Sequence, residues 1–271
     1  MNRPSALPSL PQVSIARPSG PSRREQIARA RGLADLRAAV ADPLNFYADV
    51  LGIQQRLAEQ WPSLDPGASL SVAMPGLLAE LIAIARPALA GELKKLPPSD
   101  GWSALVDEYW RSGGRATNDL DELALFVMDT LMTPFAQRQA QQRGGMEPQE
   151  DRPYDCPWCG SPPIVAVLRE EGHGARRSLL CGWCDQEWPV QRIRCLACDE
   201  SRFDALPVIS AETLSAVRVD LCETCGVYVK TIDLTRDGSA LPLVDDLATL
   251  PLDLWARDHD YRRLRANALR I

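Results

Sequence analysis

Histidine is nearly missing from this chain: two in 271 residues, His173 in a glycine turn and His259 among charges. Neither stands beside a cysteine cluster where it could act as a base, so both read as surface residues rather than ligands. A phosphate-cradling glycine loop, a zincin helix and a nucleophile elbow are also lacking, which removes the common sequence signatures of catalysis. No run of 18 apolar residues occurs, so nothing is expected to insert in a membrane. An excess of basic charge is missing as well, since the formal net charge is −6 and the pI about 5.1, which argues against nucleic acid as a partner. Finally, cysteine is absent from residues 1–155 and from everything after 225.

All eight cysteines therefore lie in one stretch, as four Cys-x-x-Cys pairs: Cys156 and Cys159, Cys181 and Cys184, Cys195 and Cys198, Cys222 and Cys225. The gaps between successive pairs are 21, 10 and 23 residues. The two longer gaps suit a ribbon hairpin that brings two thiolate turns face to face. Pairs one and two are accordingly expected to form one four-sulfur metal site, and pairs three and four another. A disulfide framework is disfavoured because the chain shows no export signal. A thioredoxin-like site is disfavoured because Pro162-Pro163 and strand-like flanks leave no helix to start at a cysteine pair. Four-thiolate sites are closed, with no position for water or substrate, so the chain is not expected to be an enzyme. Zinc and rubredoxin-type iron both suit such a ligand set, and the residues leave that choice open.

The flanks describe two units of similar design. The first runs through Ile164–Leu168, turns at Gly172–Gly174 and returns through Leu179-Leu180 to Cys181, with Trp188 beyond. The second runs through Leu206–Ile209, turns near Glu212 and returns through Val217–Leu221 to Cys222, with Tyr228 beyond. Two thiolates on one tight turn need backbone N–H groups aimed at sulfur, which calls for a left-handed residue after the second cysteine. Gly160 and Gly226 supply it, and Asp185 and Asp199 are tolerable substitutes. Arg176, Arg177, Arg192, Arg194 and Lys230 either offset the charge of the thiolates or form solvated surface. Between Cys156 and Lys230 there are eight Lys or Arg against ten Asp or Glu, so the region is not a basic patch.

Before the cysteines the periodicity is helical. Residues 1–21 hold five prolines and read as a flexible arm. Arg23-Arg24 is followed by the charged Glu25–Arg29 rather than an apolar core, so it reads as the start of a helix and not as a twin-arginine signal. Residues 22–147 are expected to form an all-α domain of five or six helices. In it Asp42 caps a helix with Pro43 in the first turn, Pro134 kinks the last helix, and Trp61 and Trp110 either face a partner or pack the core. Gly144–Pro148 reads as a linker. The first metal-binding unit is placed at 152–192, the second at 193–235, and short helices punctuated by Pro242 and Pro251 at 236–271. The fold class is thus α+β multidomain, with a helical N-terminal domain, two tandem rubredoxin-like or zinc-ribbon-like units and a C-terminal helical segment.

The segments Cys156-Pro-Trp-Cys159-Gly-Ser-Pro-Pro163, Ser178-Leu-Leu-Cys181-Gly-Trp-Cys184, Arg194-Cys195-Leu-Ala-Cys198 and Leu221-Cys222-Glu-Thr-Cys225-Gly-Val-Tyr-Val-Lys230 resemble the formate dehydrogenase accessory protein FdhE family. The closing Asp245-Asp246-Leu-Ala-Thr-Leu-Pro-Leu-Asp-Leu-Trp255 is similar to that family's end. The resemblance implies a cytoplasmic, non-catalytic assembly factor that binds the catalytic subunit of respiratory formate dehydrogenase before twin-arginine export. It also implies two iron ions, in rubredoxin-type sites formed by Cys156, Cys159, Cys181, Cys184, Cys195, Cys198, Cys222 and Cys225, with zinc as the alternative. Trp158, Trp183 and Trp188 are candidates for the partner surface or for shielding the metals, and homodimerisation is left open. The rival readings are a rubredoxin-like electron-transfer protein, a zinc ribbon for nucleic acid and a redox-switched chaperone that releases metal on oxidation.

Overall fold

The computed structural model describes residues 20–60, 66–96, 102–115, 121–142 and 152–271. Most of the arm read over 1–21, together with Trp61 and the linker Gly144–Pro148, lies outside them.

Helix α1 (Arg23–Leu36) opens on a capping box, because Ser22 and Glu25 satisfy each other's backbone N–H. After a short 3₁₀ turn, α2 (Ala41–Gln60) packs against α1 on one side and α6 and α3 on others, and buries Leu44, Val50, Leu51, Ile53 and Leu57. Asp42 does not cap this helix. The preceding 3₁₀ turn runs straight into it, so Asp42 sits within the first turn and pairs its carboxylate with Arg86 instead. Next come α3 (Pro66–Ile84), α4 (Pro87–Leu93), α5 (Trp102–Arg111) and α6 (Glu122–Gln142). Pro134 lies inside α6, which continues through it. Proline removes the N–H that would reach Thr130 O, and that carbonyl accepts Gln54 Nε2 from α2 instead, at 3.3 Å.

The second half is built on one seven-stranded sheet. Its order is β3 (Glu187–Pro189), β2 (Gly174–Cys181), β1 (Pro163–Glu171), β6 (Val227–Asp233), β5 (Val217–Leu221) and β4 (Val208–Ser210), with β7 (Arg262–Arg263) on β6. The antiparallel β1–β2 and β4–β5 pairs follow the two sequence units. Sequence reading left β6 out. It lies antiparallel on β5 and parallel to β1, with Ala166 opposite Thr231 and Leu168 opposite Asp233, so a single hydrogen-bonded layer runs through both units. Ile164–Leu168 in β1 are all buried, as a central strand covered on both faces requires, whereas β5 alternates buried and half-buried.

Helices α7 (Pro242–Leu247) and α8 (Leu250–Asp258) pack back on this sheet. They carry Asp246 and Asp253 to Lys230 of β6, whose Nζ lies 2.8 Å from Asp246 Oδ1 and 2.5 Å from Asp253 Oδ2. Arg263 reaches the same two carboxylates at 2.7 and 2.8 Å. Arg263 and Lys230 hold Asp246 below the usual carboxylate range even though its burial works the other way. The chain is therefore α+β, with a helical first half, a sheet that carries both cysteine groups and helices at the end.

Candidate metal centres

Each cysteine pair sits on a tight turn closed by backbone hydrogen bonds. The N–H of the leading cysteine donates to the carbonyl five residues on: Cys156 to Ser161 at 2.9 Å, Cys181 to Gln186 at 3.0 Å, Cys195 to Glu200 at 2.8 Å and Cys222 to Val227 at 3.0 Å. The residue after the trailing cysteine is left-handed in all four turns, with φ of 71° at Gly160, 56° at Asp185, 62° at Asp199 and 66° at Gly226. The turned backbone aims N–H groups at sulfur: Trp183 N lies 3.4 Å from Cys181 Sγ, and Ala197 N lies 3.4 Å from Cys195 Sγ.

The four turns come together two by two. Cys156, Cys159, Cys181 and Cys184 form one group and Cys195, Cys198, Cys222 and Cys225 another, with the four sulfurs of each within 4.8 Å of one another. The closest approaches are 3.4 Å (Cys156 to Cys184, and Cys159 to Cys181) in the first group and 3.7 Å (Cys195 to Cys225, and Cys198 to Cys222) in the second. A disulfide needs about 2.0 Å, so none is formed. A tetrahedral ion with metal–sulfur bonds of about 2.3 Å needs sulfurs roughly 3.8 Å apart, which is close to the observed spacing. The donor set thus fits a thiophilic metal, and each group could hold one ion.

The surroundings of the two groups differ sharply. Cys156, Cys181 and Cys184 are buried in the main core, where the first group meets the helices. Trp183 stacks on Trp110 of α5 with ring centroids 5.7 Å apart and planes 3° off parallel, and its Nε1 donates to Asp129 of α6 at 2.5 Å. Tyr109 donates to the same carboxylate oxygen, and Arg270 pairs with the other at 2.9 Å. Gly113 and Gly114, both left-handed, let the end of α5 approach: a Cβ on Gly114 would collide with the Trp183 ring. Next to them Arg115 pairs with Asp155. Trp188 is also buried and Trp158 half-buried, so of the three candidate tryptophans none is freely exposed. Trp110 packs between Phe135 and Trp183. In the second group Cys198 is exposed and Cys225 half-buried.

The two aspartates at turn positions also fasten the turns to the rest of the fold. Asp185 is half-buried and accepts Gln137 Nε2 of α6 at 2.6 Å; desolvation of its carboxyl pushes it up to about 6, against Arg23. Asp199 accepts the Tyr154 hydroxyl and pairs with Arg194 at 2.5 Å. Those two hydrogen bonds hold Asp199 low, while burial and Asp199 raise Tyr154 to about 12. Of the five cations near the turns, Lys230 is neither exposed nor beside sulfur but lies in the carboxylate network of α7 and α8. Arg177 is buried against Asp220 at 3.0 Å and points its guanidinium at the carbonyls of Gln191, Arg192 and Arg194, just before Cys195. Arg176 and Arg192 are at the surface. Sequence reading missed Glu200, whose carboxylate caps Ser201 and Arg202 and accepts Thr224 of the fourth turn at 2.7 Å, tying the third turn to the fourth. The contacts to Arg202 and Thr224 hold it down to about 2. His173 is exposed and His259 stacks on Trp255, both away from the sulfurs.

Comparison with known proteins points one way. The family model described as the FdhE central domain matches residues 155–192, and that described as the FdhE C-terminal domain matches residues 193–269. A protein FdhE homolog of Aquifex aeolicus is 35% identical over 114 residues, covering 41% of this chain and 40% of the relative. One from Edwardsiella ictaluri is 32% identical over 145 residues, 53% of this chain and 47% of the relative, so these matches span less than half the relatives' length. A longer match, 28% identical over 262 residues, covers 84% of this chain and 81% of a protein FdhE homolog of Yersinia pestis. The crystal structure of the FdhE protein from Pseudomonas aeruginosa shares the fold, with a TM-score of 0.68 over 93% of this chain and 97% of that one at 24% identity.

Proposed function

This chain belongs to the FdhE family, and from that premise we propose that it is a cytoplasmic, non-catalytic accessory factor for respiratory formate dehydrogenase that binds the catalytic subunit before export. Two metal ions are held by the eight cysteines, Cys156, Cys159, Cys181 and Cys184 around the first and Cys195, Cys198, Cys222 and Cys225 around the second. The observation that carries the metal reading is the approach of four sulfurs within 4.8 Å in each group. Iron in rubredoxin-type coordination is the preferred ion, with zinc as the alternative. When bound, the ion supplies a cross-link between two turns and, if it is iron, a one-electron couple. The chain's own residues complete each turn: left-handed Gly160, Asp185, Asp199 and Gly226 aim N–H groups at the thiolates and stabilise their charge.

An electron-transfer role is the second reading, and the observation that favours it is the exposure of Cys198 in the second group, which would bring an ion there close to the surface. Nucleic acid is disfavoured by the charge of −6.

The test is anaerobic purification of the tagged chain from cells that also express a formate dehydrogenase catalytic subunit. The expected result is about two ions per chain by elemental analysis, with visible thiolate-to-iron absorption, and recovery of the subunit with the tag. Protein with neither iron nor zinc would end the metal reading. A metal-loaded chain that never recovers the subunit, yet exchanges electrons reversibly with a redox partner, would favour electron transfer.

A further inference from the structure

We propose that the cleft beside the second cysteine group, which reaches the edge strand β4 at Val208, binds an extended acidic segment of the partner protein that pairs with β4 as an added strand; this rests on the assembly-factor reading above.

Three observations converge there. The cleft, with a volume of about 220 Å³, has exposed apolar side chains on its rim: Phe203 is 79% exposed, Val208 52% and Ile193 48%. An aromatic left this open beside a β-branched neighbour costs solubility, and clusters of this kind mark recognition surfaces. Secondly, β4 ends the sheet. Leu221 N donates to Pro207 O at 2.9 Å, so in the antiparallel pairing Ile209 bonds Val219 while Val208 and Ser210 turn their N–H and C=O groups away from β5. No strand lies beyond β4 among the described residues, so this outward edge is open. Thirdly, the lining carries four arginines, Arg177, Arg192, Arg194 and Arg218, against one carboxylate, Asp220, and the sulfurs of Cys195 and Cys222, in a chain whose net charge is −6. Arg177 and Arg218 are engaged by Asp220, and Arg194 by Asp199. Arg192 is exposed and its guanidinium has no carboxylate partner among the described residues.

An occupant that satisfies all three features is a stretch of extended chain. Its backbone would take up the outward groups of Val208 and Ser210, an apolar side chain would lie between Phe203 and Val208, and a carboxylate would reach Arg192. Strand addition gives affinity through the backbone, and pockets for alternate side chains give selectivity. The short strand and the arginine beside it discourage promiscuous edge pairing while leaving the site open to an acidic segment.

The experiment uses the full chain, tagged and co-expressed with the formate dehydrogenase catalytic subunit. Variants Phe203→Asp with Val208→Asp, and separately Arg192→Glu, alter surface side chains only. Their circular dichroism, melting temperature and metal content should match the parent. The double variant is expected to recover about tenfold less subunit, or lower still. Arg192→Glu is expected to recover several-fold less and to lose part of the salt dependence of binding. Undiminished recovery by the folded double variant would overturn the cleft as the docking site while leaving the assembly role intact. A parent chain that recovers no subunit would overturn the assembly role, and this inference with it. A double variant that changes only the chain's own sedimentation, from dimer to monomer, would make the face a self-association surface and also overturn the proposal.

Discussion

At the scale of single residues, the buried charges give the sharpest consequences. Lys230 is fully buried, and its pairing with Asp246 and Asp253 leaves Arg263 to balance the second carboxylate. Replacing Lys230 with Met strands a buried negative charge and should cost about 3–5 kcal/mol, read from the midpoint of urea unfolding. Asp246 also sets a pH dependence. Its carboxyl is held below the ordinary value in the folded chain by Arg263 and Lys230, which outweigh its burial. Unfolded Asp binds the proton more readily, so the stabilisation is complete above about pH 4 and is lost as pH falls through the lower folded value. Unfolding titrations from pH 6 downwards should show that acid-side loss in the parent and a smaller one in Asp246→Asn. Gly114 is the other exacting position. A methyl group there meets the Trp183 ring, and φ of 78° suits glycine alone, so Gly114→Ala should cost about 2–4 kcal/mol and disturb Trp183 fluorescence.

At the scale of elements, α6 shows how a proline is accommodated. Its missing N–H leaves Thr130 O for Gln54, which is buried on α2. Gln54→Leu keeps the volume but leaves that carbonyl unsatisfied, with an expected loss of about 1–3 kcal/mol in thermal or chemical unfolding. The cysteine turns follow a similar logic. A left-handed residue is needed after each pair, and where that residue is aspartate its side chain also anchors the turn, since Asp185 reaches α6 and Asp199 reaches Tyr154. The two turns of the first group are built into the core, whereas the second group opens to solvent at Cys198. Cys181→Ser should therefore lower the melting temperature of the whole chain far more than Cys198→Ser, a difference that calorimetry on the metal-loaded variants would read. Equal effects would mean that both groups serve the fold alike.

At the scale of the whole molecule, the helical half and the sheet are joined through the first cysteine group. Trp183, Tyr109, Asp129, Arg265 and Arg270 form one contact system across α5, α6 and the C-terminal segment. A fragment beginning at residue 152 would lose Tyr109, Trp110 and Asp129 from around Trp183, keeping Arg265, and would expose that ring. Such a fragment is expected to bind a hydrophobic dye and to melt less cooperatively than the full chain, even with its cysteines supplied with metal.

The sequence alone was enough to identify the four cysteine turns, the left-handed residues after them, the hairpins between them and the helical first half, because each is written in local spacing and periodicity. It also carried the family, through the flanks of the cysteines. Only the tertiary structure decided what depends on distant parts of the chain meeting. Lys230, one residue in a strand-like run, becomes a buried ion partner because α7 and α8 bring Asp246 and Asp253 to it. Strand β6 joins two hairpin units into one sheet because it pairs with β5 on one side and β1 on the other. Cys184 and Cys198 stand in turns of the same design, yet one is sealed and the other exposed, because α5 and α6 cover only the first group; no local rule of spacing records which surface another element will cover.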